Sequence, residues 1–206
     1  MSSAPTKTRR LILGSTSRYR RELLERLQIP FDQASPDVDE TPSPGENPRA
    51  LAERLALAKA HAVARQFPQA VVIGSDQVAD LDGLPLGKPG THERAVAQLK
   101  QMRGKTVVFQ TAVAVVCLES GFSQSAVAPV KVAFRDLGDD EIENYLRAEQ
   151  PYDCAGSAKS EGLGIAILSS IESDDQTALV GLPLIRTCNM IRAAGIVLLA
   201  PAKAAP

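Results

Sequence analysis

The chain has 206 residues, with 23 Lys plus Arg against 24 Asp plus Glu and a formal net charge of −1. A charge so close to zero gives no electrostatic reason to expect a nucleic-acid duplex or an acidic membrane as partner. Hydrophobic residues at 44% and charged residues at 23% exclude disorder along the whole chain, and 4% aromatics with no Trp argue against a stacking platform for single strands.

Met1 to Arg10 is polar and basic, and no stretch approaches the roughly 18 apolar residues of a membrane span. The chain is therefore expected to be cytoplasmic. Leu11-Ile12-Leu13, ended by Gly14, reads as a buried strand. Ser15-Thr16-Ser17 then offers capping hydroxyls to a helix with Leu23, Leu24 and Leu27 on one face. Five prolines and many acids between residues 30 and 48 predict a mostly irregular loop. Asn47-Pro48 opens a second helix, striped by Leu51, Leu55, Ala58 and Ala62. Val71-Val72-Ile73 starts a strand that passes Asp76 and turns back at Asp82-Gly83.

Thr91 caps a helix carrying Ala95, Leu99 and Met102, which Gly104 stops. Val107 to Leu118 forms a long strand, and Val130, Val132 and Phe134 alternate in another. Asp139, Asp140 and Glu141 crowd the first turn of a helix holding Ile142, Tyr145 and Leu146, as the helix dipole favours. A loop at 151–162 leads to a strand around Ile165 and Ile167, and a last helix runs from Pro183 to Gly195. These elements describe an α/β protein with a mixed sheet. No linker divides it, so one domain over 1–206 is expected, with loose tails at 1–9 and 200–206.

Four segments carry polar residues that packing would not ask for. Ser15 to Arg21 places hydroxyls, amides and arginines at a helix start, which suits an anion as well as it suits an ordinary cap. Asp37-Val38-Asp39-Glu40-Thr41 has the oxygen density for a hard divalent cation, or is a solvated acidic loop. Asp76 interrupts an apolar strand, where a carboxylate must be paired, metal-bound or facing a cleft, unless the strand has a bulge or edge there. Gly74 beside it would let a ligand approach the backbone. Gly87-Lys88-Pro89 presents one lysine on a rigid turn, with Lys59 as a second candidate phosphate contact. Neither a P-loop nor a dinucleotide-binding glycine motif is present. His61 and His92 read as surface groups without a nucleophile, and Cys117, Cys154 and Cys188 form no zinc pattern and no disulfide framework. Cations that bind phosphate, together with separated carboxylates, describe metal-assisted attack of water on a phosphoanhydride.

In this order the motifs resemble the Maf family of nucleoside triphosphate pyrophosphatases. They are Ser15 to Arg21, Asp39-Glu40-Thr41, Lys59-Ala60, Ser75-Asp76-Gln77 and Gly87-Lys88-Pro89. Later come Cys154-Ala155-Gly156-Ser157 with Lys159-Ser160-Glu161-Gly162, and Val180-Gly181-Leu182-Pro183. The resemblance implies an elongated, two-lobed fold with a deep cleft, like that of the inosine triphosphate pyrophosphatases. It implies hydrolysis between the α and β phosphates to a monophosphate and pyrophosphate, with a divalent cation (Mg, Mn or Co). Asp76 would be general base and, with Glu40, metal ligand. Arg20, Lys59 and Lys88 would neutralise phosphate charge, and Ser15 would donate to phosphate.

Tyr19, Gln77 and Glu161 would read the base, and they resemble the branch acting on 7-methyl-GTP. Relatives acting on dTTP and UTP usually carry Arg at the first of these places and Thr after the Asp. The chain departs from its own branch in having Tyr19 for the usual Trp and Arg18 for a frequent Pro. The implied partner is a nucleoside triphosphate, with no nucleic acid or membrane, and a homodimer is the family habit. Two alternatives stand beside this reading. One is a dTTP/UTP pyrophosphatase, and the other is a nucleotide-binding inhibitor of septum formation without turnover.

Overall fold

The computed structural model describes residues 9–199, so the expected tails, Arg9 apart, lie outside the described residues. The apolar run after Arg10 forms β1 (Leu11–Gly14), buried at every position. Ser17 caps α1 (Arg18–Glu25) by accepting from the Arg20 amide, and Leu23 and Leu24 turn inward. β2 (Asp32–Ala34) follows, then α2 (Pro48–Gln66), capped by Asn47 with Pro48 in its first turn. β3 (Val71–Leu81) and β4 (Leu84–Leu86) form the hairpin expected at Asp82-Gly83. Next come α3 (His92–Met102), the long antiparallel pair β5 (Thr106–Cys117) and β6 (Phe122–Phe134), and α4 (Asp139–Glu149). β7 (Leu168–Glu172) and α5 (Leu184–Ala193) complete the fold.

The strands form one mixed sheet in the order β2-β1-β3-β5-β6-β7. β1 is parallel to β2 and β3, and the other pairs are antiparallel. One detail of register positions the site. Along one edge of β3, β1 pairs residues 71–74 and β4 pairs residues 79–81. Residues 75–78 face neither strand on that edge, although β5 pairs them on the other. The sheet splits there, beside the carboxyl end of β1, where open α/β sheets place their ligands.

Each side of the split has its own apolar core. On one lobe α2 covers Ile12, Val72, Ala112 and Ala114, while Leu23, Leu24, Leu182 and Ile191 cover Leu13, Ile73 and Val113 on the opposite sheet face. On the other lobe α3 and α4 pack Leu99, Met102, Ile142 and Leu146 against Phe109, Val130 and Val132. β5 and β6 run through both lobes, so the two sides share one framework of backbone hydrogen bonds. No helix among the described residues is long and apolar enough to cross a membrane.

Several sequence expectations need correction. The region 30–48 is mostly irregular, as expected, but within it Asp32–Ala34 pairs with β1, a strand the sequence did not reveal because three residues without an apolar pattern leave no periodic signal. The second strand of the long pair begins at Phe122, well before Val130, and admits Pro129 where β7 does not yet pair its far edge. Ile165 and Ile167 are not strand residues. Leu163–Ile167 curls into a 3-10 turn and the strand starts at Leu168. The curl is held by the Glu149 carboxylate, which accepts from the Leu163 amide at 2.6 Å and pairs with Lys159. In α2 the buried stripe runs through Leu51, Ala52, Leu55, Ala56, Lys59, Ala60 and Val63, with Ala58 off it.

Candidate active site

A cleft of about 860 Å³ opens at the split in the sheet. Every residue singled out for the site lines it: Ser15, Tyr19, Arg20, Glu40, Lys59, Asp76, Gln77, Lys88 and Glu161.

Its centre is a buried cation between two carboxylates. Lys59 Nζ lies 2.6 Å from Asp76 Oδ1 and 2.6 Å from Glu40 Oε1. The Lys59 and Asp76 side chains are 8% and 10% exposed, while Glu40 comes in from the loop with 61% of its side chain open. Close contact of α2 with β3 makes the pairing possible. A Cβ on Gly74 would stand 2.3 Å from the Ala56 carbonyl and 2.5 Å from the Ala60 amide. Gly74 therefore admits the helix and not, as its position suggested, a ligand. The helix then holds Lys59 over the next residue of the same strand face.

Burial works to raise the pKa of Glu40. The hydrogen bond and charge of Lys59, with Lys88 and Arg20 behind it, outweigh burial and hold Glu40 below the usual carboxylate range. Asp76 Oδ2 makes no side-chain hydrogen bond among the described residues, so one oxygen is anchored and one is uncommitted.

Of the acidic loop, only Glu40 reaches the cleft. Asp39 instead accepts from the Thr41 amide at 2.9 Å in a local turn. The loop is fastened to α2 by Arg54, which donates to both oxygens of Glu46 (2.6 and 2.7 Å) and to the Thr41 carbonyl (3.1 Å). Sequence reading missed this staple, since Arg54 and Glu46 are unremarkable charges until the loop folds back.

Arg20 and Ser15 come from the strand-to-helix turn. Arg20 Nε donates to the Gly181 carbonyl at 2.8 Å, and burial pulls the guanidinium below its usual range while Asp76 and Glu40 oppose that. Ser15 Oγ accepts from the Ser17 amide at 3.2 Å, which leaves its hydroxyl proton available. Lys88 stands exposed on the opposite lobe and has no ion-pair partner among the described residues. Its turn is braced from behind, where Gln98 donates to the Gly87 carbonyl at 3.0 Å and accepts from Ser157 at 2.7 Å.

Gln77 faces inward more than its position suggested. Its amide nitrogen reaches Thr111 Oγ1 and the carbonyls of Ala178 and Leu179 at 2.9–3.0 Å. Three acceptors orient the amide, so only Oε1 can address a ligand directly. Ser75 adds a bond to the Gly181 carbonyl at 3.0 Å. Arg20, Ser75, Gln77 and Thr111 thus clamp 178–181, a cleft wall whose role local sequence could not show.

Tyr19 lines the outer part of the cleft with Asp153, Cys154 and Glu161. Burial, first among several causes, raises the Tyr19 phenol and pushes the Cys154 thiol up to about 12, which disfavours the thiolate at neutral pH. His92 also differs from expectation. It is not a free surface group but bonds Tyr152 and Glu143, each at 2.9 Å, tying α3 to α4 and the 152 loop.

The carboxylates fit a divalent cation. No cluster of three or more His, Cys, Asp or Glu side chains among the described residues forms a complete cage. Mg²⁺, however, is commonly held by one or two carboxylates together with substrate phosphates. Asp76 and Glu40 already converge on one positive charge, the Lys59 ammonium. Two carboxylates stand beside cations on both lobes, next to a helix start, and carry the types of group that hydrolysis of a phosphoanhydride needs.

Residues 10–194 match the family described as Maf-like protein. The chain belongs to the Maf family. A protein of Polaromonas sp. strain JS666 is 78% identical over 200 residues, covering 97% of this chain and 91% of its own length. A protein of Albidiferax ferrireducens is 73% identical over 91% of this chain and 94% of its own. One of Burkholderia thailandensis is 61% identical over 95% and 93%. All three are named 7-methyl-GTP pyrophosphatase.

Proposed function

We propose that this chain hydrolyses the α–β phosphoanhydride of 7-methyl-GTP, giving 7-methyl-GMP and pyrophosphate. The observation that carries the reading is the Glu40–Lys59–Asp76 array at the sheet split, with Arg20 and Lys88 facing it. The names of the relatives supply the base.

In this reading Asp76 Oδ2 takes the proton of the attacking water, while Oδ1 stays anchored to Lys59. Arg20, held by the Gly181 carbonyl, and Lys88, held by its braced turn, bind the phosphates and stabilise charge that grows at the transition state. Ser15 donates its hydroxyl to a phosphate oxygen. Asp76 and Glu40 would hold a divalent ion of the Mg, Mn or Co kind, and Lys59, keeping its bond to Asp76 Oδ1, would direct another N–H towards phosphate. When bound, that ion neutralises phosphate charge and polarises the scissile bond. Glu161, an acceptor, suits the donor edge of guanine, and the Tyr19 ring suits stacking. The Oε1 atom of Gln77 completes the base contacts, its nitrogen fixing the wall behind. A cytoplasmic site of action accords with a nucleotide substrate.

The test is purified protein incubated with Mg²⁺ and a panel of 7-methyl-GTP, GTP, dTTP and UTP, assayed for pyrophosphate. The expected result is pyrophosphate and monophosphate, with the highest kcat/KM on 7-methyl-GTP. Orthophosphate as product, or binding without turnover, would contradict the reading. A preference for dTTP or UTP would keep the reaction and move the substrate.

A further inference from the structure

The outer end of the cleft holds a carboxylate that the phosphate chemistry does not use. Asp153 lines the cleft, is exposed, and has no ion-pair partner among the described residues. Its contacts are long: Oδ2 accepts from the Tyr19 hydroxyl at 3.4 Å and Oδ1 from the Cys154 thiol at 3.5 Å. Next to it the Tyr19 ring is already occupied. The Arg18 guanidinium carbon lies 4.7 Å from the ring centroid, and Arg18 donates to the Tyr19 hydroxyl at 2.7 Å.

A guanidinium is a flat, delocalised cation that stacks on aromatic faces. This wall therefore holds a planar cation on an aromatic ring, with a carboxylate at the rim of that ring. Methylation of guanine at N7 turns a neutral ring into a planar, delocalised cation of the same kind. The donor edge that suits Glu161 is present with or without the methyl group, so its hydrogen bonds tell guanine from a pyrimidine, and only through its charge does it add to the preference for the methylated ring. Asp153, beside the ring face and with no hydrogen bond to the donor edge, acts through charge alone.

We propose that Asp153 is a specificity-determining residue which, with the Tyr19 ring, seats the cationic base and selects 7-methylguanine over guanine, Arg18 holding the seat until the base displaces it. The inference rests on the 7-methyl-GTP reading. Asp153 acts through charge at an exposed position, so its effect is moderate and screened by salt, with a Debye length of about 8 Å at physiological ionic strength.

The experiment compares kcat/KM for 7-methyl-GTP and GTP in wild type, Asp153→Asn and Asp153→Glu, at low and high salt, beside melting curves. Asp153→Asn should lower efficiency on 7-methyl-GTP about three- to tenfold, chiefly through KM, while GTP changes less than about twofold. Asp153→Glu should retain most of the preference. High salt should narrow the methyl preference of the wild type more than that of Asp153→Asn. Melting temperatures should agree, because the lost contacts are long and exposed. A wild-type preference that persists in Asp153→Asn overturns the role of Asp153 alone. Equal losses on both nucleotides also overturn it, assigning the residue to folding or general binding. A wild type that does not prefer 7-methyl-GTP overturns the underlying substrate reading together with this one.

Discussion

At the inner end of the cleft Lys59 stands on a helix and Asp76 on a strand, their side chains 8% and 10% exposed and locked to each other. At the outer end Asp153 and Glu161 sit on the loop between α4 and β7, both exposed, and Asp153 meets Tyr19 at the first turn of α1. The inner groups owe their geometry to backbone pairing and to the close approach of α2 to β3. The outer groups owe theirs to a loop held by a few side-chain bonds, such as Glu149 to the Leu163 amide and His92 to Tyr152. In the proposed reading the Lys59–Asp76 pair, set on a helix and a strand, serves any triphosphate, while Asp153 and Glu161, set on a loop where substitution disturbs little else, bear on the choice of base.

The largest expected effect breaks the inner end. Asp76→Asn keeps the volume but removes the base, and turnover should fall about 10²- to 10⁴-fold on every nucleotide, read as pyrophosphate release at saturating Mg²⁺. A lower melting temperature should accompany it, since Lys59 then keeps only the exposed Glu40 as counter-charge. Next, Gly74→Ala tests whether helix contact sets the geometry. The added Cβ meets backbone at 2.3 and 2.5 Å, so a loss of about 1–3 kcal/mol is expected from overpacking, measured by chemical denaturation. An unchanged midpoint would show that α2 does not lean on β3 as described.

Glu161→Ala sharpens the comparison from the other end. Loss of a charged acceptor should cost about 1.5–3 kcal/mol in kcat/KM on guanine nucleotides and leave a pyrimidine triphosphate unchanged. Equal losses would move Glu161 from selection to catalysis or folding. The smallest effect concerns the acidic loop. Arg54 and the Ser43 amide hold Glu46 at about 2, against an ordinary 4.5. Its folded pKa lies below the unfolded one, so the staple contributes above pH 4.5 and is lost as pH falls from there towards 2. Amide protection factors of residues 36–46, corrected for the intrinsic pH dependence of exchange, should stay constant down to about pH 4.5 and fall below it; loosening near neutral pH would exclude the staple as the loop's anchor.

Much of the inner site was legible because its residues break local rules. Asp76 in an apolar strand, the Asp82-Gly83 turn and the hydroxyls after Gly14 each stand out against their neighbours. What was not legible depends on partners far along the chain. The split edge of β3 exists because β1 and β4 pair different halves of it, and no local pattern states which strands become neighbours. Gln77 turns its amide towards Ala178 and Leu179, some hundred residues on, so its orientation waits on that contact. Gly74 signalled close approach, yet not that the approaching group is a helix. Asp153 gave no signal at all, because an exposed acid beside a turn is ordinary until Tyr19 and Arg18 lie next to it.

The division between a general inner end and a selective outer end is tested most directly by a double-mutant cycle. The measurement is kcat/KM on 7-methyl-GTP and dTTP for wild type, Asp76→Asn, Glu161→Ala and the double variant. The account predicts that Asp76→Asn lowers both substrates by the same factor, that Glu161→Ala lowers only 7-methyl-GTP, and that the losses add in free energy. An Asp76→Asn protein that keeps more than about a tenth of wild-type turnover, or that loses activity on one substrate alone, would contradict it.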